Sequence, residues 1–237
     1  MPIYRIADLN VEVNPKFKTC RKRLESYAVK SNESGKTDIA ISVSDDEIRE
    51  RLRLSDNLSE QGAEDVLILS KFCNAVLDGF DGFFFHSSCL ELDGEGYVFS
   101  AVSGTGKSTH TALWRRHFGN RVTMINDDKP VIRKCDGKFY VYGTPWMGKA
   151  NIGTNTKAPV KVVYILQRAE ENTAVRVLPS QVMKQLLEAT VIDVERSRME
   201  KLLELLDEFF KETPLFLLGC NMDESAVMTA YNAANGG

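Results

Sequence analysis

The 237-residue sequence has no Cys-x-x-Cys pair, no internal repeat, no block of basic residues, and no apolar run near the roughly 20 residues a membrane span requires. Each absence removes a class of function. The five cysteines, Cys20, Cys73, Cys89, Cys135 and Cys220, are odd in number and far apart, which speaks against a disulfide framework or a zinc knuckle and for reduced thiols in a cytoplasmic protein. A formal net charge of −3, with Lys and Arg scattered, offers no electrostatic footprint for nucleic acid. Residues 1–8 lack a basic start and a following apolar core, so neither a secretion signal nor a membrane partner is expected.

What is present is an ordinary globular composition, 43% hydrophobic and 27% charged, which sets disorder aside. Residues 3–13 alternate like an edge strand or hairpin arm, 21–29 suit helix or strand, 32–36 form a turn, and 37–43 read as a strand. Ser44 has capping character for a short helix to about Leu54. Val66, Leu67, Leu69, Phe72, Cys73, Val76 and Leu77 recur at helical spacing over 62–77. Residues 83–92 then read as one apolar strand carrying His86, and a turn at 93–96 returns the chain as strand 97–102, forming a hairpin. Further strands are expected at 121–128, 131–133, 138–142, 161–167, 173–178 and 215–219, and helices at 180–189, 195–210 and 224–235. Hairpins among so many strands predict an α/β fold with a mixed central sheet flanked by helices.

The hairpin delivers the segment Ser103-Gly-Thr-Gly-Lys-Ser-Thr109, which opens a helix. This is the layout of a phosphate-binding P-loop. Gly104 and Gly106 allow a tight turn that aims several backbone N–H groups at one anion, the helix start adds its positive end, and Ser103, Gly104, Thr105, Gly106, Lys107, Ser108 and Thr109 are the expected nucleotide-binding residues. Lys107 reaches the β/γ-phosphates and Ser108 offers its hydroxyl to Mg²⁺. Ala101 stands where the usual pattern begins with Gly.

Phosphoryl transfer also needs a metal-side acid and, for a hydroxyl acceptor, a base. Asp127 and Asp128 end a strand expected to lie beside the P-loop strand, one to serve the metal and the other the acceptor, with the order left open. His86 is either a satisfied core histidine or a group that binds a divalent metal or shares a proton with a carboxylate. His110 and His117 read as surface residues. In the loop that follows, Lys149 is available to phosphate charge. Trp146 either covers a base or acceptor or packs as core, and Gly143, Gly148 and Gly153 suggest a loop mobile enough to close. Arg133 is an exposed strand arginine or a phosphate contact.

Taken in order, His86-Ser-Ser-Cys, Ser103 to Thr109 and Asn126-Asp-Asp128 resemble the nucleotide-binding core shared by phosphoenolpyruvate carboxykinases and HPr kinase/phosphorylases. The resemblance spans about residues 83–168 and looks closest to small HPr-kinase-related proteins of bacteria. It implies that His86 lies near the transferred phosphoryl group or the metal, that Asp127 is the catalytic acid or base, and that Asp128 holds the metal. The chain departs from the relatives in two respects. It lacks the additional oxaloacetate domain of the carboxykinases and the Glu/Arg/Gly-rich signature of the HPr kinases.

The expectation is therefore an N-terminal α+β accessory segment over 1–80 and a P-loop kinase-like domain over 81–237, or the two as one continuous domain. The activity expected is ATP-dependent transfer of the γ-phosphoryl to a hydroxyl on a peptide, protein or small molecule, with Lys107, Asp127 and His86 catalytic and Mg²⁺ or Mn²⁺ as metal. Two alternatives stay open: a nucleotide-binding regulator that transfers nothing, and phosphorylase- or carboxykinase-like use of the same centre. ATP against GTP, the acceptor and a homo-oligomeric state are likewise open.

Overall fold

The computed structural model describes residues 1–30, 35–55, 57–102, 104–190 and 196–236. Most of the turn expected at 32–36, together with Ser103 and Glu195, falls outside the described residues. Strands β1 (Ile3–Ile6) and β2 (Leu9–Val13) are the two arms of one antiparallel hairpin. Its turn puts both Ala7 and Asp8 at positive φ, the geometry that matches the twist of the flanking strands. Helix α1 (Lys18–Leu24) follows, and then β3 (Ile39–Ile41), which lies parallel to β2. Helix α2 (Asp45–Arg53) begins with the expected cap, the Glu47 N–H donating to Ser44 Oγ and the Ser44 N–H to Glu47 Oε2. Helix α3 (Glu60–Gly79) lays Ile68, Leu69, Phe72 and Val76 against the small sheet, in a cluster that also takes in Val131, Tyr142 and Trp146.

The remaining strands are β4 (Gly82–Phe84), β5 (Ser88–Leu92), β6 (Glu95–Ser100), β7 (Val122–Asn126), β8 (Val131–Cys135), β9 (Lys138–Tyr142), β10 (Lys157–Arg168), β11 (Thr173–Arg176) and β12 (Leu215–Cys220). They form one mixed sheet in the order β4-β8-β9-β10-β6-β5-β7, with β12 on β10 and β11 on β12. Helices α4 (Lys107–Phe118) and α7 (Ser225–Ala234) cover one face, α5 (Met183–Thr190) and α6 (Arg196–Glu212) the other. Strand alternation explains the two layers. Tyr97 and Phe99 of β6 pack with Trp114, Tyr164 and Val227, whereas Val98 joins Phe83, Val163 and Phe209 on the opposite side.

Two sequence expectations are corrected. Residues 83–92 are not one strand: β4 ends at Phe84, β5 begins at Ser88, and four strands stand between the two in the strand order. An unbroken apolar run carries no period and so hides such a break. Nor does β7 lie beside β6, because β5 pairs with both and sits between them.

This topology positions the site. In a flat sheet β4 and β5 would be five strand spacings apart, about 24 Å. The three-residue link between Phe84 and Ser88 spans at most about 14 Å. A second link, residues 127–130, joins β7 to β8 across the same five spacings. The sheet must therefore curl until its ends meet, and the two links run side by side, the Phe85 N–H donating to Pro130 O at 3.2 Å and the Ser87 N–H to Asp128 O at 3.2 Å. His86 is on one link and the acid pair is on the other.

Arg133 is neither exposed nor a phosphate contact. It is 8% exposed and donates to the carbonyls of Phe80 and Ala7, tying the first hairpin turn to β8. The loop after β9 is packed by its glycines rather than simply loosened by them. A Cβ on Gly143 would stand 2.0 Å from Thr154 O, and one on Gly153 would stand 2.9 Å from Ile125 O. Gly143→Ala is expected to cost about 3 kcal/mol and to lower Tm by roughly 10 °C; a thermal melt within 2–3 °C of wild type would contradict this close approach.

Candidate functional site

The turn into α4 has the backbone an anion cradle requires. Gly104 lies at φ 80 and Gly106 at φ 122, conformations an L side chain rarely adopts. Gly106 is the residue before the helix and provides no side-chain cap, so the first N–H groups of α4 keep their outward donors. Two side chains brace the turn. Lys107 Nζ donates to Ala101 O at 3.2 Å, and Arg168, from the end of β10, donates through Nη2 to Gly104 O at 2.6 Å. Because a peptide's carbonyl and N–H point in opposite directions, Arg168 fixes which way this part of the turn faces. Thr105 N–H donates back to Val102 O. Burial pushes the Lys107 ammonium below the usual lysine range, against the pull of the Asp128 and Asp127 charges.

Ser108 Oγ donates to Asp127 Oδ2 at 2.9 Å, bridging the helix start to the acid pair although β5 separates their strands. Asp127 is 6% exposed, and its other oxygen accepts from Ser88 Oγ at 2.7 Å. Ser88 in turn lies 3.1 Å from the Thr111 hydroxyl. Two hydroxyls thus orient the buried carboxylate, and β5 supplies one of them.

Asp128 faces the other link. His86 Nε2 is 3.0 Å from Asp128 Oδ1, and Lys129 pairs with Oδ2. Burial pushes the Asp128 carboxyl up, but the His86 and Lys129 hydrogen bonds and the Lys129 charge outweigh it and hold the pKa at about 2. The pair is held in place by Asn126, which is fully buried. Its Oδ1 accepts from the N–H groups of Asp128 and Lys129 at 2.8 and 2.7 Å, and its Nδ2 donates to Thr144 O. The backbone of Gly148 closes over both acids, since a Cβ there would be 3.5 Å from Asp128 Cβ and 3.6 Å from Asp127 Oδ2.

Gly104, Thr105, Gly106, Lys107, Ser108, Asp127, Asp128 and His86 are therefore gathered at one end of α4, with Thr109 exposed on the helix's first turn and Ser103 outside the described residues. Ser88, Asn126, Lys129 and Arg168 belong to the same cluster and had no role in the sequence reading. An Asn just before two acids at a strand end is the one local signal, since Asn side chains turn the backbone that follows. Among the described residues no group of three or more His, Cys, Asp and Glu side chains could hold a metal. The donor set of a serine hydroxyl and adjacent carboxylates suits Mg²⁺, which takes one or two protein ligands and completes its shell with phosphate and water.

Of the two alternatives for Trp146 the structure takes the core one: it is 3% exposed, stacks on Phe72 at 5.8 Å and donates to Asp65 Oδ1 at 3.2 Å. One expectation changes. His110 is not a surface residue. It is 2% exposed beneath Phe99, and its Nε2 accepts from Trp114 Nε1 at 3.0 Å. Trp114 one helical turn later is the sequence signal for that burial.

Burial lowers the His110 pKa to about 4. A histidine whose folded pKa lies below its unfolded value of about 6.5 binds fewer protons when folded, so stability rises with pH through this window. The contribution is complete above pH ~6.5 and is lost as pH falls toward 4. Chemical denaturation should show this acid loss between pH 6.5 and 4 in wild type and its reduction in His110→Gln; identical pH profiles would exclude it.

No protein-family model matches the chain, and no curated protein sequence matches it. Among solved structures the chain is similar to the HPr(Ser) kinase/phosphatase from Coxiella burnetii, with 11% identity, a TM-score of 0.37, and coverage of 65% of this chain and 93% of that one. Among the described residues no helix is long and apolar enough to cross a membrane.

Proposed function

We propose that the protein is an ATP-dependent phosphotransferase acting on a hydroxyl acceptor. The observation that carries this reading is the Ser108–Asp127 hydrogen bond at the start of α4, with the His86–Asp128 pair on the adjoining link. A glycine turn, a lysine and a serine at a helix start would bind nucleotide phosphates in many proteins. Here a hydroxyl–carboxylate pair and a separate imidazole–carboxylate pair stand beside them.

In this reading Lys107 and the amides of the turn hold the β- and γ-phosphates. Ser108 and Asp127 form the metal side, where Mg²⁺, when bound, neutralises phosphate charge. His86 takes the acceptor's hydroxyl proton, because imidazole suits proton transfer near neutral pH whereas a carboxylate held at about 2 does not. Asp128, bonded to Nε2, orients the ring. The family resemblance instead implies Asp127 as the acid or base and Asp128 as the metal holder.

The primary test is displacement of a fluorescent ATP analogue by ATP in the presence and absence of Mg²⁺, followed by transfer of γ-³²P to hydroxyl compounds and peptides. Failure to bind nucleotide at millimolar concentration would sink the proposal.

A further inference from the structure

A cavity of about 170 Å³ opens beside the start of the phosphate turn, lined by His86, Ala101 and Val102 together with Gln185, Glu188 and Ala189 of α5. The His86 N–H donates to Ala189 O at 2.7 Å, so the helix is fastened directly to the histidine-bearing link. Residues 104–108 are not on its wall. It therefore adjoins the cradle where Lys107 Nζ meets Ala101 O, instead of coinciding with it. The larger groove between α1 and the loop after β9, near Lys22 and Met147, has neither acid of the pair nor His86 among its lining residues.

We propose that this cavity is the acceptor subsite and that it selects small amino alcohols. The proposal rests on the phosphotransferase reading and adds a substrate class to it. The volume suits one small molecule or a single side chain. Glu188 is the one anionic side chain among the described residues that line the cavity, and His86 lines it too. Its ion-pair partner Lys184 sits one turn away on the same exposed helix surface at 3.8 Å, a pairing a ligand ammonium can displace. An acceptor with its hydroxyl at His86 and an ammonium at Glu188 satisfies both residues, while a carboxylate in the ammonium's place meets like charge.

The step balances with ATP as co-reactant. The acceptor oxygen bonds to the γ-phosphorus as the bond from that phosphorus to the β–γ bridging oxygen breaks, giving ADP and a phosphorylated amino alcohol. The hydroxyl proton passes to His86.

The test uses the full chain and three probes of near-equal size: ethanolamine, ethylene glycol and glycolate. Binding of a fluorescent ATP analogue is measured first, and its absence overturns both readings. With nucleotide bound, kcat/KM for ethanolamine should exceed that for each of the other two by about tenfold or more. Calorimetry with a non-hydrolysable ATP analogue should rank their affinities in the same order. Glu188→Gln should remove the advantage over ethylene glycol, and Glu188→Lys should turn the preference toward glycolate. Equal use of the three probes, a preference unmoved by either substitution, or transfer to a serine peptide alone overturns the inference while leaving phosphotransfer standing.

Discussion

Replacing Lys107 with alanine is expected to reduce phosphoryl transfer by about 10²–10³-fold, the loss typical when one charge-stabilising donor leaves a transition state. The ammonium stands over the turn, 3.2 Å from Ala101 O and within the field of both aspartates, where the proposed reaction would build charge on the transferred phosphoryl group. The loss should fall mainly on kcat, because the turn amides and the helix start still hold the ground-state phosphates. Folding should be unharmed. Burial already disfavours the charged lysine, and alanine is a strong helix former at the first position of α4. A variant with an unchanged melt and wild-type turnover would remove Lys107, and with it the phosphate cradle, from the chemistry. Lys107→Arg keeps the charge but changes its reach, and is expected to recover only part of the rate.

The parts of this site that are local in the chain were legible before the fold was known. The turn from β6 into α4 is marked by glycine spacing, α2 by Ser44 and Glu47, and α3 by its apolar stripe, because each depends on neighbours within a few residues. Strand pairing depends on distant segments, so the insertion of β5 between β6 and β7 could not be read from either strand. The break at residues 85–87 was hidden for a different reason: three consecutive phenylalanines satisfy a strand on either side of the core equally well. That break makes His86 a site residue, since inside a strand it would be committed to one face of the sheet. Trp146 illustrates the opposite limit. An aromatic in a glycine-rich loop looks available for a ligand, and only the position of Phe72 and Asp65 on α3 shows that it is buried.

His86→Ala is expected to lower kcat by about 10²–10⁴-fold, the usual range for loss of a positioned proton acceptor, while leaving nucleotide affinity within about twofold. The two-link geometry separates its contribution from that of the metal side. His86 and Asp128 form one pair, Ser108 and Asp127 the other, and among the described residues no hydrogen bond joins one pair to the other. Asp127→Asn should therefore raise the Mg²⁺ concentration needed for half-maximal rate, and His86→Ala should not. The rising limb of the pH–rate profile, which reports deprotonation of the base, should disappear with His86. It should persist, at reduced height, in Asp128→Asn, where the imidazole is still present but less well oriented. Added imidazole should restore part of the His86→Ala rate. If Asp128→Asn abolishes the limb while His86→Ala retains it, the carboxylate is the proton acceptor and the histidine its support. Lys129 then decides how that can be. Its ion pair is one of the contacts holding the Asp128 carboxyl at about 2, so a carboxylate base would require Lys129 to swing away when substrate binds, and Lys129→Met would then move the rising limb to higher pH and raise the rate near neutral pH.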